Sequence, residues 1–302
     1  MKILALAGPT ASGKSEIAIE IAKKINAEII SCDSRLVYKD FNIGTAKPTK
    51  EEMQGIMHHL IDVASPQIVY SVSDYINTAQ KIIENSSKNL IIIGGTGFYM
   101  KALLEGLDIP KVPADEEFRK EMRELAQKKG NDFIYEKLIK IDPKMAEKLH
   151  KNDIFRIIRA LEVFKNTNEL PSLQQKTKEP QFNSIYFGLN AENREYLYNK
   201  INKRTHIMIE QGLINEVQGL IDKYGQNLHL LKTLGYQEIV EYLNKENSLE
   251  EAISKIQKKT RNYAKRQITW FNANKKIKWY YIDKMDKSEI VEDICLNLIQ
   301  SS

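Results

Sequence analysis

The octet GPTASGKS at residues 8–15 is the feature that most limits how this chain can fold. It fits the pattern G-x-x-x-x-G-K-[S/T], and it lies between an apolar run at 2–7 and a segment of helical period at 14–25. In such a strand–loop–helix unit, glycines let successive backbone N–H groups point at phosphate oxygens. We therefore predict a diphosphate or nucleotide site made of Gly8, Pro9, Thr10, Ala11, Ser12, Gly13, Lys14 and Ser15.

Within this site, Lys14 would neutralise the outer phosphates and Ser15 would bind Mg²⁺. The octet does not specify what happens to the phosphates. Hydrolytic enzymes with this loop usually carry an acid at the end of another strand. Here the apolar run at 89–93 leads into Gly94-Gly95-Thr96-Gly97, without a carboxylate. This departure argues against an ordinary ATPase or GTPase and leaves a small-molecule kinase open.

The order of apolar and helical patterns predicts the fold class. Apolar runs at 2–7, 27–31 and 89–93 alternate with helical segments, which is typical of a parallel sheet covered on both faces. No convincing strand pattern occurs from 113 to 178, and an apolar run returns at 184–189. We predict an α/β chain with a P-loop NTPase-like core at 1–112 and 183–302 and a helical insertion at 113–182.

Composition excludes several classes of protein. Hydrophobic residues make up 42% and charged residues 28% of the 302 residues, as in soluble globular proteins. No run approaches the ~20 apolar residues of a membrane helix. Cys32 and Cys295 cannot form a disulfide framework, and His58-His59 lack a third metal ligand nearby. We expect a cytoplasmic monomer with no membrane partner.

Asp33 follows the second predicted strand and is the candidate general base. Carboxyl ends of parallel strands line the ligand crevice, so Asp33 should lie near the octet and could accept a proton from a nucleophile. Alternatively, it caps the following turn through Ser34. Thr96 could place its hydroxyl and backbone N–H against a phosphate, or GGTG could be only a tight turn.

The segment from Lys255 to Lys278 has nine lysines and arginines and no acidic residue. Lys258, Arg261 and Lys265 fall at i, i+3 and i+7, so on a helix they form a basic stripe that could follow a phosphodiester backbone. Trp270 and Phe271 are predicted to be core residues. Arg156 and Arg159 form a weaker basic pair, because Glu162 could simply pair with Arg159.

Longer strings across the chain resemble the tRNA dimethylallyltransferases, also called tRNA isopentenyltransferases, of bacteria and organelles. The matching strings, in chain order, are GPTASGKS, DSRLVYKDFNIGTAKPT (33–49), HHLIDV (58–63), YSVSDY (70–75), GGTGFYMKALLEGL (94–107), HKNDIFRIIRALEVF (150–164), INKRTHIMIEQGLINEV (201–217), LKTLGYQEI (231–239) and TRNYAKRQITWF (260–271). The resemblance implies transfer of a dimethylallyl group from dimethylallyl diphosphate to N6 of the adenine 3′ of the tRNA anticodon. Pyrophosphate would leave with Mg²⁺ bound.

The resemblance also implies site residues. Asp33 would meet the adenine N6 and Arg204 would lie near the diphosphate, so the implied catalytic set is Asp33, Thr96, Arg204 and Lys14. Contacts with the anticodon stem-loop would come from Asp33, Ser34, Arg35, Leu36, Thr96, Arg119, Phe155, Arg156, Ile157, Ile158, Arg159, Lys232, Gly235, Tyr236, Gln237, Arg261, Lys265, Arg266 and Gln267. Many relatives have Gln in place of Leu36 and Asp in place of His206, so neither residue receives a polar or catalytic role.

Three alternatives remain at this point. A nucleoside or metabolite kinase would hold ATP in the octet and use Asp33 to activate a hydroxyl. An adenylate isopentenyltransferase would modify free nucleotide, although the helical insertion and the basic helix speak against it. A tRNA-binding protein without catalysis is the third, and the intact Lys14, Ser15, Asp33 and Thr96 argue against it.

Overall fold

The computed structural model of the protein describes residues 1–107, 109–110, 112–174 and 182–300. The chain divides into two compact units, the first made of 1–104 with 182–302 and the second of 105–181. The predicted insertion starts later, at residue 113, and its part from 175 to 181 lies outside the described residues.

A six-stranded parallel sheet forms the centre of the first unit. Its strands in chain order are β1 (Ile3–Ala7), β2 (Ala27–Ser31), β3 (His58–His59), β4 (Asn89–Gly94), β5 (Ser184–Asn190) and β6 (Lys278–Tyr281). They lie in the order β3-β2-β4-β1-β5-β6, and every pairing is parallel. The predicted α/β class with a P-loop NTPase-like sheet is confirmed. The short β3 was not predicted, because two residues are too few to show a period.

The helices alternate with these strands as the sequence pattern indicates. In chain order they are α1 (Lys14–Ile25), α2 (Lys50–Met53), α3 (Val72–Asn85), α4 (Gly97–Leu104), α5 (Glu116–Lys129), α6 (Asn131–Ile141), α7 (Pro143–Ala146), α8 (Ile154–Thr167), α9 (Pro171–Gln174), α10 (Arg194–Glu210), α11 (Leu213–Tyr224), α12 (Tyr236–Leu243), α13 (Leu249–Asn272) and α14 (Lys287–Gln300), with a 3₁₀ helix at His229–Lys232 before α12. Capping boxes begin α3 at Ser71 and α13 at Ser248, because each serine and the acid three residues later satisfy each other's backbone N–H groups.

Side chains that alternate along the strands belong to two separate apolar clusters, one on each face of the sheet. Ile3 and Ala5 pack with α3 and α4, whereas Leu4 and Leu6 pack with α1 and α14. Side chains of a strand alternate between its two faces, so both faces of the sheet are covered. Each fully buried isoleucine or leucine contributes about 1.5–3 kcal/mol, and this burial fixes the strand ends that carry the polar residues.

A third apolar cluster joins the segment after β2 to the helices α10–α13. Phe41 packs on Tyr236, with ring centroids 4.8 Å apart, and both are buried. The carboxylate of Glu216 accepts hydrogen bonds from the N–H groups of residues 42, 43 and 44 and from the Tyr236 hydroxyl. Gly44 is required there, since an added Cβ would lie 2.5 Å from the Tyr236 ring.

The second unit is a helical assembly with its own core. Helices α5–α8 enclose an apolar cluster that includes Ile134, Leu138 and Ile157. Asp115 caps α5 by accepting the N–H of Phe118 at 3.0 Å. The helical character predicted for this part of the chain is thus found in its described residues, none of which forms a sheet strand.

Candidate functional site

The octet turns sharply between β1 and α1. Gly8 lies against β5, where a Cβ would come within 2.4 Å of the Leu189 carbonyl oxygen. Gly13 has a φ of 77° and precedes the first residue of α1. Ala11 also has a positive φ, 64°. The loop therefore needs glycine at its ends, for close approach at Gly8 and for a left-handed backbone at Gly13.

Lys14 is folded back over the octet. Its ammonium donates to the Pro9 carbonyl at 2.6 Å and lies 3.4 Å from the Ser12 hydroxyl. Burial, and next the charge of Arg204, lower the pKa of Lys14 to about 7, while Asp33 acts in the opposite direction. A desolvated cation of this kind gains most from an incoming anion, which would restore its positive charge.

Arg204 reaches the octet from α10. Its guanidinium donates to the Thr10 hydroxyl, and burial lowers its pKa although the charge of Asp33 raises it. The predicted residues Lys14, Arg204 and Asp33 are therefore close enough to influence one another's charge. They form an electropositive site with one carboxylate beside it.

Asp33 lies just beyond the end of β2, as predicted, and its position is fixed by a turn. Its Oδ1 accepts the N–H of Arg35 at 2.8 Å. The N–H of Ser34 donates to the Thr96 hydroxyl oxygen at 3.1 Å. The capping alternative is therefore correct in kind, but through Arg35 and not through Ser34. The same turn brings Asp33 and Thr96 side by side, so capping and a chemical role do not exclude each other.

The prediction that the backbone N–H of Thr96 contacts a phosphate is wrong. Its backbone N–H donates to the Cys32 carbonyl at 3.3 Å and therefore does not face a phosphate. Gly94 permits this close approach, because a Cβ there would lie 1.9 Å from the Cys32 carbonyl oxygen. Thr96 is thus positioned beside Asp33, while the backbone around it joins the ends of β2 and β4.

Tyr263 of α13 lies in the stretch 261–267 that the resemblance assigns to tRNA contact, but sequence reasoning did not place it near Asp33 and Thr96. Burial, followed by the charge of Asp33, raises the pKa of Tyr263 to about 12, while the nearby Thr96 side chain acts in the opposite direction. Gln267, one turn further along α13, is also directed into the site. Their i, i+4 spacing was the available indication that both lie on one helix face.

The opposite part of α13 carries the predicted basic stripe. Lys258 and Lys265 are exposed, and so is Arg266. Arg261 is only partly exposed, and it donates to the Asn202 side-chain oxygen at 2.8 Å. The ammonium of Lys265 lies 5.8 Å from the centroid of the Tyr198 ring.

The core prediction for the end of α13 is right for one residue and wrong for the other. Phe271 is buried, but Trp270 is 46% exposed. Trp270 covers Gly97, where a Cβ would lie 2.1 Å from its ring, and it meets Phe98 edge to face. Because Trp270 covers a partly buried glycine near the surface, much of its own ring stays in solvent.

The remaining predicted RNA contacts in the first unit differ in exposure. Arg35, Lys232 and Gln237 are exposed, whereas Ser34 and Leu36 are partly buried.

Gly235 and Tyr236 are buried, and Tyr236 is only 2% exposed. Its hydroxyl donates to Glu216 at 2.8 Å, and its ring packs on Phe41. The Tyr236 side chain is therefore a core residue in this structure, because its apolar ring and its hydroxyl both have partners inside the protein. An RNA contact of the surrounding segment stays a prediction.

In the second unit, some of the tRNA contacts predicted on α8 are exposed and others are buried. Phe155 is 77% exposed and Arg156 is exposed, whereas Ile157 and Ile158 belong to the core of this unit. The two isoleucine side chains lie on the inner face of the helix and do not present themselves to a ligand. The contact predicted for α8 is thus reduced to the side chains on its outer face.

Arg119 and Arg159 are held by one buried carboxylate, that of Glu162. Arg119 donates to it at 2.8 and 3.0 Å, and Arg159 also pairs with it, as predicted. Burial alone would raise the pKa of Glu162, but hydrogen bonds from the two arginines outweigh it and hold that pKa below its ordinary value. Their predicted RNA contacts remain predictions, since both guanidinium groups already have a structural role.

Neither a cluster of metal-binding side chains nor a membrane-spanning helix is found among the residues that the structure describes. No group of three or more His, Cys, Asp or Glu side chains there could enclose a metal ion. Among the described helices, none is long and apolar enough to span a bilayer.

Comparison with known proteins gives consistent results. The family model described as IPP transferase matches residues 36–274. A tRNA dimethylallyltransferase from Caldanaerobacter subterraneus subsp. tengcongensis is 47% identical over 294 residues, covering 94% of this chain and 92% of that protein.

Two solved structures resemble this one over almost the whole chain. The full-length tRNA isopentenylpyrophosphate transferase from Bacillus halodurans has a TM-score of 0.74 and 36% identity, covering 99% of this chain and 96% of that one. A eukaryotic dimethylallyltransferase acting on tRNA has a TM-score of 0.79 and 27% identity, covering 98% and 80%.

Proposed function

The chain belongs to the IPP transferase family, and from this premise we propose the reaction that its site performs. It transfers a dimethylallyl group from dimethylallyl diphosphate to N6 of the adenine 3′ of the tRNA anticodon, and pyrophosphate leaves. The proposal is supported above all by one observation. Two desolvated cations, Lys14 and Arg204, meet at the octet within electrostatic reach of Asp33.

The acceptor nitrogen needs positioning more than activation. The N6 lone pair of adenine is delocalised into the ring, so the nitrogen is a poor nucleophile and must be aimed at the allylic carbon. As the N–C bond forms, the C–O bond to the diphosphate breaks and the nitrogen becomes cationic. Asp33 then accepts the N6 proton. Thr96 and Tyr263, which both lie near Asp33, orient the base.

The leaving group collects negative charge as the C–O bond breaks. Backbone N–H groups of the octet, Lys14 and Arg204 face that charge in a partly desolvated site, where electrostatic stabilisation is strongest. In this proposal the octet binds the diphosphate leaving group of the prenyl donor and not a nucleoside triphosphate that is cleaved at phosphorus. The phosphorus atoms keep all their bonds to oxygen, which distinguishes the reaction from that of a kinase.

A divalent cation fits the octet, and we propose Mg²⁺. Ser15 is exposed at the start of α1, so its hydroxyl is available as a ligand beside the diphosphate. Mg²⁺ usually takes few protein ligands and keeps several waters and phosphate oxygens. When bound, it would supply further neutralisation of the leaving pyrophosphate.

The tRNA would bind through the exposed basic side of α13 and the exposed side chains near Arg35, Lys232 and Gln237. Adenine must leave its stack to enter the site, at a cost of a few kcal/mol. Backbone contacts from Lys258, Lys265 and neighbouring cations would offset that cost. We further propose that the protein works in the cytoplasm as a monomer.

Mass analysis of nucleosides tests the proposal. Unmodified tRNA is incubated with the protein and dimethylallyl diphosphate carrying label in the prenyl chain. We expect labelled N6-dimethylallyladenosine from the position 3′ of the anticodon. Free AMP in place of tRNA tests the adenylate enzyme. Label from the terminal phosphate of ATP in a product, with no prenyl label in tRNA, would instead support a kinase.

A further inference from the structure

Gln267 lies on α13, among residues that the family resemblance assigns to RNA contact, but it is 5% exposed. Its side-chain oxygen accepts the backbone N–H of Thr10 at 2.8 Å. Its side-chain nitrogen donates to the Gly95 carbonyl at 2.9 Å. Both ends of the amide are therefore engaged inside the protein, one on the octet and one on the loop after β4.

The loop after β4 is shaped to receive this amide. A Cβ at Gly95 would lie 2.0 Å from the Gln267 side-chain nitrogen. No side chain fits at that distance unless Gln267 moves. The second glycine of GGTG is thus explained by the amide, not by a phosphate contact or by a positive φ.

Thr10 is held from two sides. Gln267 takes its N–H, and Arg204 donates to its hydroxyl. The Thr10 N–H consequently does not point at the diphosphate, and the next N–H groups of the octet are left to do so. Fixing Thr10 also fixes where Arg204 meets the octet.

We propose that Gln267 is a positioning residue of the diphosphate site and makes no RNA contact. It ties the octet to the loop that carries Thr96, so the two halves of the reaction, leaving group and acceptor, keep a constant separation. This inference rests on the proposed function for the identity of the donor. Arg266, the preceding residue, is exposed and lies about 100° around the helix from Gln267, with its guanidinium 5.7 Å from the centroid of the Tyr263 ring.

The adjacent pair Gln267 and Arg266 allows a matched test. Both are changed to methionine, in Q267M and R266M, and melting temperatures confirm that each variant folds. Binding of inorganic pyrophosphate with Mg²⁺ is measured by calorimetry, tRNA binding by filter retention, and KM and kcat by prenyl transfer. For Q267M we expect pyrophosphate affinity to fall and the KM of the donor to rise about tenfold, with tRNA affinity within about twofold of wild type.

R266M should show the reverse pattern, with weaker tRNA binding and an unchanged KM of the donor. Gly95→Ala disturbs the same contact from the side of the loop after β4 and should have the same effects as Q267M. If Q267M does not fold, Gly95→Ala alone provides the test. The inference is overturned if Q267M weakens tRNA binding as R266M does, or if Q267M or G95A leaves pyrophosphate affinity unchanged. Pyrophosphate binding requires no transfer, so a wild type that binds it without prenylating tRNA would reject only the proposed function.

Discussion

The cations at the octet and those on α5 and α8 differ in whether a carboxylate neutralises them. Lys14 and Arg204 donate to neutral oxygens of Pro9 and Thr10, and neither forms an ion pair within the described residues. In the second unit, two arginines share the buried carboxylate of Glu162. The octet therefore keeps unneutralised charge for a ligand, whereas the second unit uses charge to hold its helices together.

The sharpest test of this contrast removes the charge of Asp33, the carboxylate that acts on both Lys14 and Arg204. Asp33→Asn keeps the turn acceptor for Arg35 but cannot take a proton, so kcat should fall by about 10²–10⁴-fold with tRNA affinity retained. Single-turnover prenyl transfer and filter binding measure the two quantities. Asp40→Asn is the matched control, because Asp40 pairs with Lys223 on the surface. Equal rates for wild type and Asp33→Asn would end the general-base assignment.

In the second unit, the same kind of change should affect stability and not chemistry. Glu162→Gln removes a fully buried charge that accepts hydrogen bonds from Arg119 and Arg159, and should lower the free energy of unfolding by about 1–3 kcal/mol. Because the folded pKa is lowered, the contribution of Glu162 is present above its unfolded pKa and disappears as pH falls through the folded pKa.

Urea titrations at neutral and acidic pH measure this difference. The gap between wild type and Glu162→Gln should close at low pH. Glu124→Gln, on the exposed side of α5, serves as the control and should unfold like wild type. A gap that persists unchanged at acidic pH would mean that the Glu162 charge is not what stabilises this unit.

The desolvated charge at the octet should appear as a pH dependence of anion binding. With the pKa of Lys14 at about 7 in the free protein, the ammonium loses its proton above that pH and binding must restore it. Pyrophosphate affinity should therefore decrease as pH rises above 7, by up to about tenfold per pH unit. Lys14→Arg stays charged and should remove most of the slope. The same slope in wild type and Lys14→Arg would assign the titration to another group.

The smallest effect concerns the exposed basic side of α13. Replacing Lys258 and Lys265 by alanine should reduce the slope of log K against log salt for tRNA binding by about 0.7–0.9 for each lost phosphate contact. Arg261→Ala should change the slope less, because its guanidinium already bonds Asn202. Binding measured over a salt series decides this. An unchanged slope in the double variant would show that RNA does not use this side of the helix.

Sequence patterns could predict those parts of the molecule whose causes are local. The octet, the capping boxes at Ser71 and Ser248 and the alternation of strands and helices each depend on neighbouring residues, and the parallel sheet followed from them. Asp33 could be placed because strand ends converge at one edge of a parallel sheet.

The fine structure of the site depends on partners far away in the chain. Gln267 and Gly95 are separated by 172 positions, so no local pattern could join them. The position of Tyr263 near Asp33 was missed for the same reason. Trp270 was misjudged because aromatic residues on helices usually face a core. The resemblance identified α13 as functional, but it could not distinguish the face that would hold RNA from the face that holds the octet.

The Glu216 carboxylate, which accepts hydrogen bonds from the N–H groups of residues 42–44 and from Tyr236, has a consequence for how substitutions combine. It fastens the backbone at Gly44 and the hydroxyl of Tyr236 to one carboxylate. Gly44→Ala would place a Cβ against the Tyr236 ring, and Tyr236→Phe would remove the hydroxyl that donates to Glu216. Both changes disturb the same contact, so a double-mutant cycle between them should be strongly non-additive. Substitutions at residues 44 and 236, which are far apart in the sequence, would then be tolerated only in combinations that fit each other.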